Sequence, residues 1–289
     1  MNLNSRITYL LRSALNYFRP AACPYCSDKL LTIIDKKYWV TKLVECNNCQ
    51  LRFRLPTDRD TDRDKFYNSI YKQKGITTDL PSPEELKHLM ATKFNNTIRS
   101  VDRVKDILIS LNGPLAGKSI LDFGCSWGYI SWQFQELGMH VQGFEIGKNR
   151  AEYGRKNLGV DIVGDKTQLN KNFNFVFSSH VIEHLNDINA YVTISFEKLD
   201  EGGFIVIICP NGSDDLMQGT FPVFHNFWGQ VHPNMLSSAF YKTVFKDRPF
   251  YISSSPYNLI GISNWDQITQ VTEMNGGDEL LCIVKKGTN

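Results

Sequence analysis

Between Lys118 and Pro210 the chain repeats one pattern, and that repetition limits its fold more than any other feature. KSILDFGC is an apolar run of strand length that ends in a glycine-bearing turn. GYISWQFQELG follows with helical periodicity and Gly138 at its end. HVQGFEI reads as a second strand, NRAEYGRKNLG as a second helix, VDIV as a short third strand and NFNFVFSS as a fourth. LNDINAYVTISFEKLD is a third helix and GGFIVIICP a fifth strand. Strands alternating with helices through short links form a parallel sheet covered on both faces, an α/β architecture. Such sheets bind ligands beyond the carboxyl ends of their strands.

The residues at those ends suit a nucleoside. The first strand runs into Asp122-Phe-Gly124-Cys125-Ser126-Trp-Gly128, where glycines let the backbone turn and approach a ligand closely. After the second strand come Glu145 and Ile146, at the distance from Asp122 where an acid binds both hydroxyls of a ribose. Gly164-Asp165 follows the third strand, placed to reach an adenine amino group. The fourth strand ends in Ser179 and His180, opening the string SHVIEHL.

These stretches together resemble the class I S-adenosylmethionine-dependent methyltransferases, closely over residues 118–210 and loosely elsewhere. ILDFGCSWG is similar to their first motif, usually D-x-G-x-G-x-G. Glu145 is similar to their ribose-binding acid, FVFSSHVIEHL to their fourth motif, and LDEGGFIVIICPN to the turn and strand that follow. The resemblance implies a Rossmann-like sheet of seven strands, with RPFYISSSPY and DELLCIVKK as the last two and the final one antiparallel. It implies S-adenosylmethionine bound by Asp122, Gly124, Cys125, Ser126, Gly128, Glu145, Ile146 and Asp165, with Ser179 and His180 at the methionine end. Ser126 stands where the family's middle glycine is usual, and Asn174 where the fourth strand often carries Asp. No [Asn/Asp]-Pro-Pro-aromatic tetrapeptide is present, which lowers bases and amides as acceptors. A dehydrogenase is disfavoured because the loop lacks a regular G-x-G-x-x-G.

His180, Glu183 and His184 also spell H-x-x-E-H, which one class of zinc peptidase carries on a helix. Here His180 ends a strand, so that reading is set aside; Glu183 and His184 are expected to begin the next helix. Residues 211–249 form a long insertion in which Phe221, Phe224, Phe227 and Trp228 crowd together with His225 and His232. Aromatic walls with a few polar groups suit a ligand pocket, and a helix is expected from near Leu236. His232-Pro233 resembles a feature of related bacterial enzymes with an N-terminal zinc ribbon, sugar methyltransferases among them. If the acceptor must lose a proton, His232 is the first candidate base, followed by His225, His180 and His184.

Cys23-Pro-Tyr-Cys26 and Cys46-Asn-Asn-Cys49 have the paired spacing of a four-thiolate zinc site. Strand-like sequence lies between them, with a charged turn expected at Asp35 to Lys37, so the module reads as a zinc ribbon. The remaining cysteines, Cys125, Cys209 and Cys282, are scattered, and the total of seven argues for a reducing, cytoplasmic setting over a disulfide framework. The expected organisation is an N-terminal amphipathic helix over residues 1–20, the ribbon over 21–55, a linker and helical segment over 56–113, and the catalytic domain over 114–289. One helix is expected from Ser82 to about Leu111, and the aromatic stretch Phe66-Tyr67-Asn68…Tyr71 is expected to fold over the next domain. The first helix places Leu3, Ile7, Leu10, Leu11, Ala14 and Phe18 on one side, to pack on the body or, in the alternative, to touch a membrane surface.

A formal charge of +2 gives no global footprint for nucleic acid. The favoured function is O- or C-methylation of a small molecule or sugar, such as a nucleotide sugar or polysaccharide precursor. The rival readings are an RNA methyltransferase gripping nucleic acid through its ribbon, and a non-catalytic binding module with the same fold.

Overall fold

The computed structural model describes residues 3–18, 20–58 and 77–287. The aromatic stretch at Phe66 to Tyr71 lies outside them. In chain order the elements are α1 (Leu3–Leu15), β1 (Leu31–Lys37), β2 (Thr41–Cys46), β3 (Arg52–Leu55), α2 (Pro83–Ala91) and α3 (Asp102–Asn112). The repeating half contributes β4 (Ser119–Phe123), α4 (Tyr129–Glu136), β5 (His140–Phe144), α5 (Lys148–Leu158), β6 (Ile162–Val163), β7 (Phe173–Ser179), α6 (Ile188–Lys198) and β8 (Leu199–Pro210). The rest is α7 (Asp214–Gly219), α8 (Phe221–Phe227), β9 (Asn234–Met235), α9 (Ser238–Val244), β10 (Phe250–Ser254), α10 (Leu259–Asn264), β11 (Gln270–Glu273) and β12 (Glu279–Lys285).

The main sheet has the order β11-β10-β12-β8-β7-β4-β5-β6. β12 alone runs against its neighbours β8 and β10; the other pairings are parallel. The chain builds outward from β4 through β5 to β6, then returns to the other side of β4 with β7. This reversal opens a crevice at the carboxyl ends of β4, β5 and β7. Strand periodicity divides the core. Leu121, Phe123, Ile205 and Ile207 face α6, α9 and the cysteine module, whereas Ile120, Phe204, Val206 and Ile208 face α3 and α10. Each fully buried Leu, Ile or Phe contributes about 1.5–3 kcal/mol.

Some expectations are corrected. The sheet has eight strands in place of seven, because the segment between the two strands expected last holds α10 and the edge strand β11. A four-residue edge strand with Gln and Glu at its ends shows little of the alternation that marks a buried strand. The helix expected from Ser82 to Leu111 is two. The Ser82 hydroxyl caps α2 by accepting from the Glu85 amide at 3.2 Å. The chain then turns through Lys93, Phe94 and Asn96, all with positive φ, to bury Phe94 beside Trp127 and Trp132. The insertion's last helix starts later than Leu236, at Ser238, where the Ser237 hydroxyl caps it.

The cysteine module is a three-stranded antiparallel sheet, β1-β2-β3, extended by β9 from the insertion. Its turn falls at Tyr38-Trp39-Val40, not at the charged triplet; Tyr38 and Trp39 both take positive φ. Asp35 stays within β1 beside a register shift, and its carboxylate accepts from Trp228 Nε1 at 2.8 Å. α1 meets this module through a largely polar set of side chains. Tyr9, Ser13 and Asn16 are buried, and Arg12 pairs with Asp58 at 3.1 Å. Leu11, Leu15 and Phe18 are exposed. Among the described residues no helix is long and apolar enough to cross a membrane.

Candidate active site at the strand ends

β4 delivers Asp122 into the core, where the Ser131 hydroxyl of α4 donates to its carboxylate at 2.6 Å. Burial pushes this carboxyl up to about 7, against the hydrogen bond from Ser131. The loop that follows is pinned by two amides, Gly124 N–H and Cys125 N–H, which both donate to the Phe144 carbonyl at 2.8 and 3.1 Å. Gly124 has φ +82°, and a Cβ there would lie 2.4 Å from Val181 Cγ2. Only glycine lets the loop after β4 lie so close to the loop after β7. Cys125 is buried under Gly143, and Gly128 opens α4 with φ +76°. Ser126 takes φ +53°, a left-handed conformation that explains why glycine is usual there, and its buried hydroxyl has no hydrogen-bond partner.

Glu145, at the end of β5, ties two loops together. One carboxylate oxygen accepts from Ser126 N–H at 3.0 Å and the other from Gly147 N–H at 2.6 Å. Burial raises its pKa, opposed by the Gly147 amide. Ile146 next to it is exposed. Asp165 lies at the surface beyond β6, where it accepts from Thr167 N–H at 2.8 Å and caps a short turn. Asn174 is at the opposite end of its strand from the crevice. It accepts from Ser119 N–H at 2.8 Å, stitching β7 to β4.

A second group sits beyond β7. His180 takes φ +54° and its amide donates to the Ile208 carbonyl at 2.8 Å. Glu183 and His184 do not begin the next helix. They belong to a separate 3₁₀ turn, Ile182–His184, ahead of α6, whose own cap is Asp187. Glu183 is completely buried and neither carboxylate oxygen accepts a hydrogen bond. Its Oε1 lies 3.4 Å from His180 Nδ1 and 3.7 Å from His184 Nε2. Burial would raise its pKa, but the charge of His184 and the contact with His180 hold it below the usual value.

His232 arrives from the insertion. Asn234, two residues on, donates through its side-chain amide to the Leu185 carbonyl at 2.7 Å and so fastens this strand to the H-x-x-E-H loop. The rings of His232 and His184 are 5.1 Å apart. His225 stays out of this group: its Nδ1 contacts Asp35 at 2.6 Å, at the junction of α8 and β1. Glu279, at the start of β12, is a site residue that no local signal marks. It pairs with His180 Nε2 at 2.9 Å and with Arg103. Despite burial, these contacts with Glu183 and Glu279 raise His180 to about 10. Only the antiparallel return of the last strand brings Glu279 to a residue 99 positions earlier.

Two groups among the described residues have the ligand types and proximity to hold a metal ion. One is Cys23, Cys26, Cys46 and Cys49; the other is Glu183, His184 and His232. In the first, sulfur pairs approach to 3.4 and 3.5 Å, and all seven cysteines of the chain are free thiols.

The sheet order, the glycine loop and the acid at the end of β5 define a class: doubly wound proteins that bind a nucleoside at the strand ends. Residues 96–254 match the family model described as "Methyltransferase domain". That match spans more than half of the chain, which belongs to this methyltransferase family. Among curated relatives, the mitochondrial ubiquinone biosynthesis O-methyltransferase of Rattus norvegicus is 29% identical over 180 residues, covering 51% of this chain and 52% of that protein. The ubiquinone biosynthesis O-methyltransferase of Pelagibacter ubique is 29% identical over 117 residues, covering 37% and 49%. The chain thus spans about half the length of these relatives. A solved structure, Haemonchus contortus phosphoethanolamine N-methyltransferase 2 in complex with S-adenosyl-L-methionine, shares the fold with a TM-score of 0.51 at 16% identity. It covers 82% of this chain and 62% of that one.

Proposed function

We propose that this chain transfers a methyl group from S-adenosylmethionine to an oxygen of a small molecule, with a hydroxyl of a sugar or sugar precursor as the acceptor. The observation that carries this reading is the Glu145 carboxylate, nearly buried between Ser126 N–H and Gly147 N–H. Each oxygen accepts one amide there, so each keeps a lone pair for a ribose hydroxyl. The cofactor supplies a methyl group on a sulfonium, a good leaving group. The chain's own work is to hold both reactants in line and keep water away. Asp122, Gly124, Cys125 and Gly128 shape the loop beside the ribose. Ile146 covers the adenine face, Asp165 accepts from its amino group, and Ser126, Ser179 and His180 border the methionine end.

The acceptor's proton is the concern of His232. Its Nδ1 bonds to the Phe227 carbonyl at 2.9 Å, which fixes the tautomer and leaves Nε2 basic. His180 keeps its own proton beside Glu279 and is a poorer base. Cys23, Cys26, Cys46 and Cys49 hold zinc structurally, since four thiolates leave no open coordination position. The odd count and paired spacing of the seven cysteines support a reducing, cytoplasmic setting.

The test is turnover with methyl-labelled S-adenosylmethionine against a panel of nucleotide sugars, catechols and RNA, followed by release of S-adenosylhomocysteine. Label in a sugar or other small hydroxyl compound, lost in Glu145→Ala and much reduced in His232→Ala, supports the proposal. Label in RNA alone, or full turnover by His232→Ala at every pH, contradicts it.

A further inference from the structure

The insertion that carries His232 is built on the cysteine module, and the contacts between them converge on Trp228. This residue is 1% exposed, and its indole Nε1 donates to the Asp35 carboxylate at 2.8 Å. Lys37 Nζ donates to the Trp228 carbonyl at 2.5 Å and lies 4.3 Å from the ring centroid. The Asp35 oxygen that takes the indole also meets His225 Nδ1 at 2.6 Å, which fastens α8 to β1. Leu43 of β2 closes the apolar side, in one buried cluster with Phe224, Trp228 and Met235. Asp35 reaches these groups where the register of β1 against β2 shifts, between Ile33 and Asp35. An extra residue in a strand bends it and re-aims the neighbouring side chain. Burial lowers Lys37 to about 8, against the pull of Asp35. The carbonyl and the ring of Trp228 are what offset the loss of water around this ammonium.

His232 hangs from the residues on either side of Trp228. The Phe227 carbonyl accepts from His232 Nδ1 at 2.9 Å, and Gly229 N–H donates to the His232 carbonyl at 3.0 Å. A carbonyl only accepts, so Nδ1 carries the proton and Nε2 presents its lone pair. The Phe227 carbonyl belongs to the same planar peptide unit as the Trp228 amide, so its direction is set where Trp228 is held. The module also grips both ends of the insertion. Arg52 donates to the Gly212 carbonyl at 2.8 Å, and Arg54 N–H donates to the Pro233 carbonyl at 2.7 Å, immediately after His232.

We propose that Asp35 and Lys37 are positioning residues for His232: by holding Trp228 they fix the Phe227 carbonyl, and that carbonyl fixes the tautomer and direction of the His232 ring. What the ring does to an acceptor rests on the methyl-transfer reading above; how the ring is held does not. The cysteine module thereby sets the acceptor side of the site, while the repeating half sets the crevice at β4 and β5. His225 serves in this arrangement as a second clamp on α8, through the same Asp35 oxygen. A small displacement of a reacting group by a residue remote from it is enough to cost a large factor in rate.

The experiment uses the full zinc-loaded chain with isotope-labelled histidine, read by nitrogen NMR at a pH where the imidazoles are neutral. Ring nitrogen shifts separate the two tautomers, and His140 at the start of β5 is the reference. Wild type should show His232 in the Nδ1–H form. Asp35→Ala and Lys37→Met should each let the Nε2–H form appear. Asp35→Asn keeps an acceptor oxygen for the Trp228 indole and should restore most of the wild-type signal. Lys37→Met keeps the stem over the ring and loses only the ammonium, so it decides the matter should Asp35→Ala fail to fold. With the nucleotide-sugar panel as acceptors, Asp35→Ala and Lys37→Met should lower kcat at least about tenfold and leave the KM for S-adenosylmethionine unchanged. A His232 signal that is the same in wild type and folded variants overturns the proposal, as does a wild-type ring in the Nε2–H form. Full turnover by His232→Ala is a different failure: it removes the methyl-transfer role of His232, and the NMR signals still decide how the ring is held.

Discussion

Single residues in the loop after β4 carry measurable strain and charge. Ser126 combines a left-handed backbone at φ +53° with a buried hydroxyl that bonds nothing. Ser126→Gly removes both penalties, set against the entropy of an added glycine. The expected gain is about 1 kcal/mol in the ligand-free protein, read from the urea midpoint at constant m-value. Asp122 makes a pH prediction. Its folded pKa is raised to about 7 by burial, so the folded state holds a proton that the unfolded chain releases near 4. This stability is complete below about pH 4 and is lost as pH rises towards 7. Asp122→Asn keeps an acceptor for Ser131 and should abolish that slope. The stability gap between variant and wild type should then move by about 2–4 kcal/mol in the variant's favour between pH 4 and 7. The motif residues at the strand ends were readable because a glycine loop and an acid sit at fixed chain distances from a strand. Glu279 was not, since a single Glu opening the last strand looks like any surface acid.

Among elements, the junction of β3 with β9 is the one that joins structure to chemistry. It sets the cysteine module against the segment carrying His232, with Phe53 and Leu236 in one buried cluster. If the thiolates hold zinc as proposed, Cys49→Ser should loosen this corner first. Amide exchange at Asn234, Met235 and Arg54 should accelerate by at least about tenfold, while β4 and β7 stay protected, as hydrogen-exchange mass spectrometry would show. α1 gives a different lesson. Its periodicity marked a helix, but among its described side chains the buried ones are Tyr9, Ser13 and Asn16, where Arg54 and Asp58 offer polar partners. Leu11, Leu15 and Phe18 are left outward, and we propose that they meet a lipid surface. Co-sedimentation with anionic vesicles should therefore fall when Leu15 and Phe18 are both changed to Ser; equal sedimentation of the two proteins would remove membrane contact from the account.

At the scale of the whole molecule, the repeating half was legible and the insertions were not. Parallel buried strands are continuous apolar runs, and short links leave few ways to connect them. Edge strand β11 and the break between α2 and α3 depend on tertiary contacts, such as Phe94 against Trp127, that no local pattern records. The same holds for the three-way meeting of Glu183, His184 and His232. The H-x-x-E-H string was conspicuous, yet its partner comes from an insertion held in place by the cysteine module. The claim on which the functional reading rests is that the crevice at the ends of β4, β5 and β7 binds the methyl-donor cofactor through Glu145. Calorimetric titration of the zinc-loaded protein with S-adenosylhomocysteine, beside a folded Glu145→Ala control, tests it directly. The account predicts micromolar binding by the wild type and at least about tenfold weaker binding by the variant, as expected when charged hydrogen bonds to two hydroxyls are lost. A folded wild type that does not bind, or a Glu145→Ala variant that binds equally well, would contradict it.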